Sequence, residues 1–122
     1  MKVDILMATY NGEKYLRPQI DSILNQTFKD FNLIICDDCS KDNTWKILEE
    51  YAQKDSRIKI IKNEKNLGYN KNFEKLLSFV TADYFMLSDQ DDFWLPNKVE
   101  ESYKKITTEN LNLVCSDLEV VV

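Results

Sequence analysis

The chain has 122 residues, room for one domain, and its 43% hydrophobic content is enough to bury a core. A formal charge of −5 excludes the basic footprint that non-specific nucleic-acid binding requires. With no histidine in the chain, His general bases, Ser-His-Asp triads and His metal sites are excluded together.

The elements follow in chain order. Val3 to Ala8 reads as a strand, and Asp4 inside its apolar run argues against a secretory signal. From Glu13 to Gln26, Leu16, Ile20, Ile23 and Leu24 share one helical face, with Pro18 early in the helix where its missing N–H costs least. Phe31 to Cys36 is a second strand. The spacing then predicts a helix from about Thr44 to Lys54, with Asp42 or Asn43 as N-cap. Ile58 to Ile61 is a short third strand. A helix follows over Asn70 to Val80, with Phe73, Leu76, Leu77 and Val80 at i, i+3, i+4 and i+7. Tyr84 to Leu87 is a fourth strand, Pro96 to about Thr107 a fourth helix begun by proline, and Leu113 to Ser116 starts a further strand. No apolar stretch approaches the ~20 residues that span a bilayer.

Strands alternating with helices predict an α/β fold: three α/β/α layers around a mostly parallel sheet. In such sheets ligands gather beyond the carboxyl ends of the strands. The unusual polar residues stand there. Thr9-Tyr10-Asn11 follows the first strand, Asp37-Asp38 the second, and Asp89-Gln90-Asp91-Asp92 the fourth.

Asp89 and Asp91 carry the sharpest chemistry. Carboxylates this close repel one another unless a cation lies among them. Two of them suit Mg²⁺ or Mn²⁺, which complete their shells from phosphate and water. The alternative is a solvated acidic turn. Asp37 and Asp38 can accept hydrogen bonds from a ribose or a base, or can simply form a turn. Tyr10 can stack on a pyrimidine or pack against the protein. Lys71, near a helix N-terminus, can meet a phosphate or stay solvated. Cys36 and Cys39 have Cys-x-x-Cys spacing, but the two acids between them oppose thiolate formation, and no histidine or second cysteine pair completes a zinc site. Three cysteines, an odd number, suit reduced thiols and a cytoplasmic setting.

Five blocks in order carry a resemblance to a known family: Met7-Ala8-Thr9-Tyr10-Asn11-Gly12, Ser22-Ile23-Leu24-Asn25-Gln26-Thr27-Phe28, Asp37-Asp38-Cys39-Ser40-Lys41-Asp42, Asn66-Leu67-Gly68 and Leu87-Ser88-Asp89-Gln90-Asp91-Asp92-Phe93-Trp94. The chain resembles the bacterial family 2 inverting glycosyltransferases, and its Asp-Gln-Asp-Asp-x-Trp form is similar to their rhamnosyltransferase-like members.

The resemblance implies the Rossmann-like, nucleotide-binding half of a GT-A fold. It implies a nucleotide pocket lined by Ala8, Thr9, Tyr10, Asn11, Asp37, Asp38, Lys71 and Asp89. It makes Asp89 and Asp91 the metal ligands, for Mg²⁺ or Mn²⁺. It implies a UDP- or dTDP-sugar donor, a saccharide or lipid-linked acceptor, and a role in cell-surface polysaccharide synthesis. Thr9 stands where relatives often have proline, and Lys71-Asn72 where they often have Arg-Asn.

Relatives need a second half for the acceptor and the catalytic base. The expectation is therefore one donor-binding domain over 1–122, a fragment with its base beyond Val122. In the full protein it would lie at the inner membrane surface, and exposed apolar surface would allow self-association. Two other readings stay open: a non-catalytic nucleotide-binding module, and a nucleotidyltransferase, against which the missing Gly-rich phosphate loop counts.

Overall fold

The structure is a computed structural model that describes residues 3–88 and 93–108. Strands β1 (Val3–Thr9), β2 (Phe31–Asp37), β3 (Ile58–Lys62) and β4 (Tyr84–Ser88) alternate with helices α1 (Glu13–Leu24), α2 (Thr44–Lys54), α3 (Tyr69–Leu77) and α4 (Lys98–Thr108). The strands form one parallel sheet in the order β3-β2-β1-β4. The predicted strand at Leu113 to Ser116 lies outside the described residues.

Successive side chains of a strand point to opposite faces, and here each face has its own core. On one face Val3, Ile5, Met7, Phe31, Leu33 and Ile35 pack with Leu16, Ile20 and Ile23 of α1, Ile47 and Leu48 of α2, Val99 of α4, and Trp94. On the other, Leu6, Ala8, Ile34 and Cys36 meet Phe73 and Leu76 of α3. Helices therefore cover both faces, as the α/β/α reading requires. Asp4, fully buried in β1, accepts hydrogen bonds from Thr81 N at 2.8 Å, Ala82 N at 3.0 Å and Asn32 Nδ2 at 3.2 Å. It pins the approach to β4, which explains a charge inside an apolar strand.

Three helix ends differ from the sequence reading. α1 stops at Leu24, two residues short of the prediction, and Gln26 leaves the helix to bond elsewhere. α3 stops at Leu77; Ser78, Phe79 and Val80 donate to Lys75 O, Leu76 O and Leu77 O, a tightened i→i+3 exit. α4 starts at Lys98, because the Pro96 carbonyl is taken by Thr27 N at 2.7 Å and Lys98 N turns back to Leu95 O. Among the described residues, no helix is long and apolar enough to cross a membrane.

Candidate active site

After β1, β2 and β3 run outward in one direction, β4 returns to the free side of β1. The chain thus changes direction between β1 and β4, and the ends of the strands there are where sheets of this kind bind ligands. Register brings the ends level: Thr9 lies beside Asp37, Met7 beside Ser88, and Asp37 beside Lys62.

The loop after β1 is held to the loop after β2 at every step. Asp37, fully buried, accepts from Thr9 Oγ1 at 2.8 Å, Ser40 Oγ at 2.6 Å and Ser40 N at 3.0 Å. Asn11, at φ 49°, gives its N–H to Ser40 Oγ at 2.9 Å and takes Lys41 N on Oδ1 at 2.7 Å. Asparagine tolerates this left-handed backbone better than most residues. Gly12 N donates to Thr44 Oγ1, and Asp42 accepts from both Glu13 N and Thr44 N. Asp42 thereby serves the first turns of α1 and α2 together. Its carboxyl resists desolvation, which alone would raise its pKa, because the Thr44 and Glu13 donors hold it below the usual range. Tyr10, between these clamps, is 44% exposed.

Asp38 differs from its neighbour. It is nearly buried, yet its partners come from far along the chain: Asn63 Nδ2 at 3.0 Å and Leu67 N at 2.7 Å on Oδ1, Gly68 N at 2.9 Å on Oδ2. Gly68 is the N-cap of α3, at φ 87°, a conformation that favours glycine. The carboxylate therefore orders the Asn66-Leu67-Gly68 loop and stands at the positive end of α3. Two oxygens offer about four acceptor positions, so three donors leave room for one more.

Behind Asp38 lies a buried polar group that the sequence reading missed. Asn63 also donates to Asn72 Oδ1 at 2.9 Å, and accepts from Cys36 Sγ at 3.3 Å and Lys75 Nζ at 2.7 Å. Asn72 donates to Cys36 O at 3.0 Å. One signal was available: Asn72 shares the inward stripe of α3 with Leu76, where a core residue is expected. Burial pushes the Cys36 thiol up, against the thiolate that redox chemistry needs, and Cys36 and Cys39 are not bonded to each other.

The other proposed site residues are spread more widely. Ala8 lies in the smaller core beside Cys36, and Thr9 is bonded to Asp37. Lys71 is exposed in the first turn of α3, next to Glu74 and Lys75. Asp89 and Asp91 lie outside the described residues, and among the described ones no group of His, Cys, Asp or Glu gathers to hold a metal. Both flanks of the 89–92 segment, however, are tied to α1. Ser88 Oγ accepts from Gln19 Nε2 at 3.1 Å, and Trp94 N donates to Ser22 Oγ at 3.1 Å.

A parallel sheet that gathers polar residues from the ends of its strands at a change of direction defines an α/β domain of the doubly wound, ligand-binding kind. The model of the family described as Glycosyl transferase family 2 matches residues 4–121, and the chain belongs to that family. It is 43% identical over 104 residues to an uncharacterised glycosyltransferase of Methanocaldococcus jannaschii, covering 84% of this chain and 36% of that protein. It is 37% identical over 117 residues to the dTDP-rhamnosyl transferase RfbG of Shigella flexneri, covering 92% and 40%. Among solved structures, S. aureus TarS 1–349 in complex with UDP-GlcNAc superposes with a TM-score of 0.83 at 28% identity, covering 90% of this chain and 32% of that one. The chain spans less than half the length of these proteins. Membership of this family sets aside the nucleotidyltransferase reading.

Proposed function

We propose that residues 1–122 form the donor-binding domain of an inverting, metal-assisted glycosyltransferase that takes a UDP- or dTDP-sugar and serves cell-surface polysaccharide synthesis. The observation that carries this reading is that Thr9, Tyr10 and Asp38 stand at the ends of neighbouring parallel strands where the chain changes direction between β1 and β4, the end from which β4 leads through Ser88 to Asp89. In this reading Tyr10 stacks on the base, and Asp38 uses its remaining acceptor position for a base N–H or a ribose hydroxyl. Thr9, Asn11 and Asp37 hold the pocket wall, Ala8 lets the ligand approach closely, and Lys71 faces the phosphates.

Asp89 and Asp91 would hold Mg²⁺ or Mn²⁺. Two hard carboxylate donors without histidine suit these ions, and Ser88 and Trp94, on either side of 89–92, are both bonded to α1. The ion would supply charge neutralisation of the departing diphosphate. In the transfer, the acceptor oxygen forms a bond to the anomeric carbon as the bond from that carbon to the diphosphate oxygen breaks. The acceptor proton passes to a carboxylate base, which inversion requires on the opposite side from the leaving group. None of the described residues is assigned that role. The acceptor, a saccharide or a lipid-linked sugar, would meet this domain at the inner membrane surface.

Calorimetry tests the reading. Uridine or deoxythymidine diphosphate should bind in the presence of Mn²⁺, and Asp91→Ala should lose the metal-dependent part of the affinity. Unchanged affinity in Asp91→Ala removes the metal assignment. Failure of every nucleoside diphosphate to bind or to raise the melting temperature removes the donor-binding reading itself.

A further inference from the structure

The buried amide behind Asp38 has an orientation that can be deduced. Asn63 is 2% exposed and uses all four of its side-chain hydrogen-bonding directions on named partners. Its Oδ1 faces two donors, Cys36 Sγ and Lys75 Nζ, and its Nδ2 faces two acceptors, Asp38 Oδ1 and Asn72 Oδ1. Asn72 cannot reverse to accommodate a change, because its own Nδ2 is committed to Cys36 O. Turning the Asn63 amide over would set its NH₂ against an ammonium and its oxygen against a carboxylate. Both contacts would be repulsive in a poorly solvated place.

Lys75 is the strongest element of this lock. The thiol of Cys36 is a weak donor, whereas the ammonium makes a charge-assisted bond at 2.7 Å. None of the ion pairs among the described residues involves Lys75. Its ammonium instead reaches from α3 into a cavity of about 600 Å³ lined by Lys62, Asn63, Glu64, Lys65, Leu67 and Lys75. The stem can lie along the helix while the charge keeps water on one side.

We propose that Lys75 and Asn63 are positioning residues for Asp38: Lys75 fixes the Asn63 amide, Asn63 fixes the Asp38 carboxylate, and the carboxylate's one remaining acceptor direction selects the nucleotide base. The selectivity half rests on the donor-binding reading above; the positioning half does not. If Asp38 Oδ1 loses the Asn63 contact, the carboxylate can rotate about its own axis. The Leu67 and Gly68 amides then lose their fixed acceptor, and the vacant position no longer points one way.

The test uses the full chain carrying Lys75→Met, with Asn63→Ser as a second route to the same break and Lys75→Arg as the conservative variant. Hydrogen exchange at Leu67 and Gly68 should speed up by about tenfold in Lys75→Met, the equivalent of one lost hydrogen bond, while β1 and β2 amides keep their protection. Lys75→Arg should restore it. Uridine diphosphate affinity should fall about tenfold, and its margin over guanosine diphosphate should narrow. Exchange at Leu67 and Gly68 that matches wild type in both Lys75→Met and Asn63→Ser overturns the positioning. Faster exchange with an unchanged uridine-over-guanosine margin overturns the selectivity role. A wild type that binds no nucleoside diphosphate refutes the donor-binding reading and the selectivity role with it, and the exchange measurement still decides the positioning.

Discussion

Asp37 and Asp38 are identical neighbours with different work, and the reason is the alternation of a strand. Asp37 ends β2 and turns toward Thr9 and Ser40; Asp38 turns toward α3. The Asp37 side chain satisfies three donors, two from Ser40 and one from Thr9 on β1, so its removal should be felt in stability. Asp37→Asn keeps the shape but sets an NH₂ against at least one of the Ser40 and Thr9 donors. We expect a loss of about 2–3 kcal/mol, in line with hydrogen bonds to a charged acceptor, read as a lower urea midpoint at constant slope. A loss within 0.5 kcal/mol, the range of ordinary surface changes, would mean that water replaces these contacts freely. Sequence reading located Thr9, Asn11, Asp37 and Asp38 because they follow strands and are turn formers. It did not reach Asn63, Asn72 or Lys75, because their partners lie 9 to 36 residues away and only the folded β2-β3-α3 unit brings them together. Asparagines in a turn-rich stretch look alike until one of them is buried.

At the scale of elements, α1 does more than cover the sheet. Its last turn and exit form a rail for the chain that follows the 89–92 segment. Gln26 is fully buried; its Nε2 donates to Leu95 O at 2.6 Å and Ser22 O at 3.0 Å, and its Oε1 accepts Val99 N at 2.9 Å. The Val99 N–H is one of the orphan donors of the first turn of α4, so a glutamine just beyond α1 caps α4 from outside. Gln26→Ala should cost about 2–3 kcal/mol for the buried groups left unpaired. It should also raise exchange at Val99 and red-shift the Trp94 fluorescence as water reaches the ring. Unchanged Trp94 emission would show that this segment holds itself without the rail. All eight described elements match the predicted boundaries within three residues, since long apolar stripes and strand runs are written locally. The ends that moved, at Gln26, Ser78 and Pro96, are those where a side chain or carbonyl is claimed by another element, which no local pattern reveals.

The whole molecule is lopsided, and the asymmetry bears on binding. Among the described residues, the core under α1, α2 and α4 holds most of the buried apolar side chains, whereas α3 is attached through Phe73, Leu76 and a few partly buried neighbours. The polar network around Asp38 sits on the α3 side, so the less strongly held layer is the one that shapes the base end of the proposed pocket. Leu48 and Leu76 are both fully buried leucines, and truncating each to alanine should cost about 2–5 kcal/mol. The consequences should differ in kind. Leu48→Ala weakens the shared core and should lower global stability, with amides of β1, β2 and α1 losing protection together. Leu76→Ala should open α3 and the 66–68 loop as a separate unit, raising their exchange well before the sheet unfolds. Nucleotide affinity should then fall in Leu76→Ala by the fraction of molecules in which α3 is detached, and change little in Leu48→Ala while the protein stays folded. Native-state hydrogen exchange across a low-urea series separates the cases. If α3 and the sheet lose protection with one common free energy in both variants, the two cores act as a single cooperative unit, and the base end of the pocket is as firm as the rest of the fold.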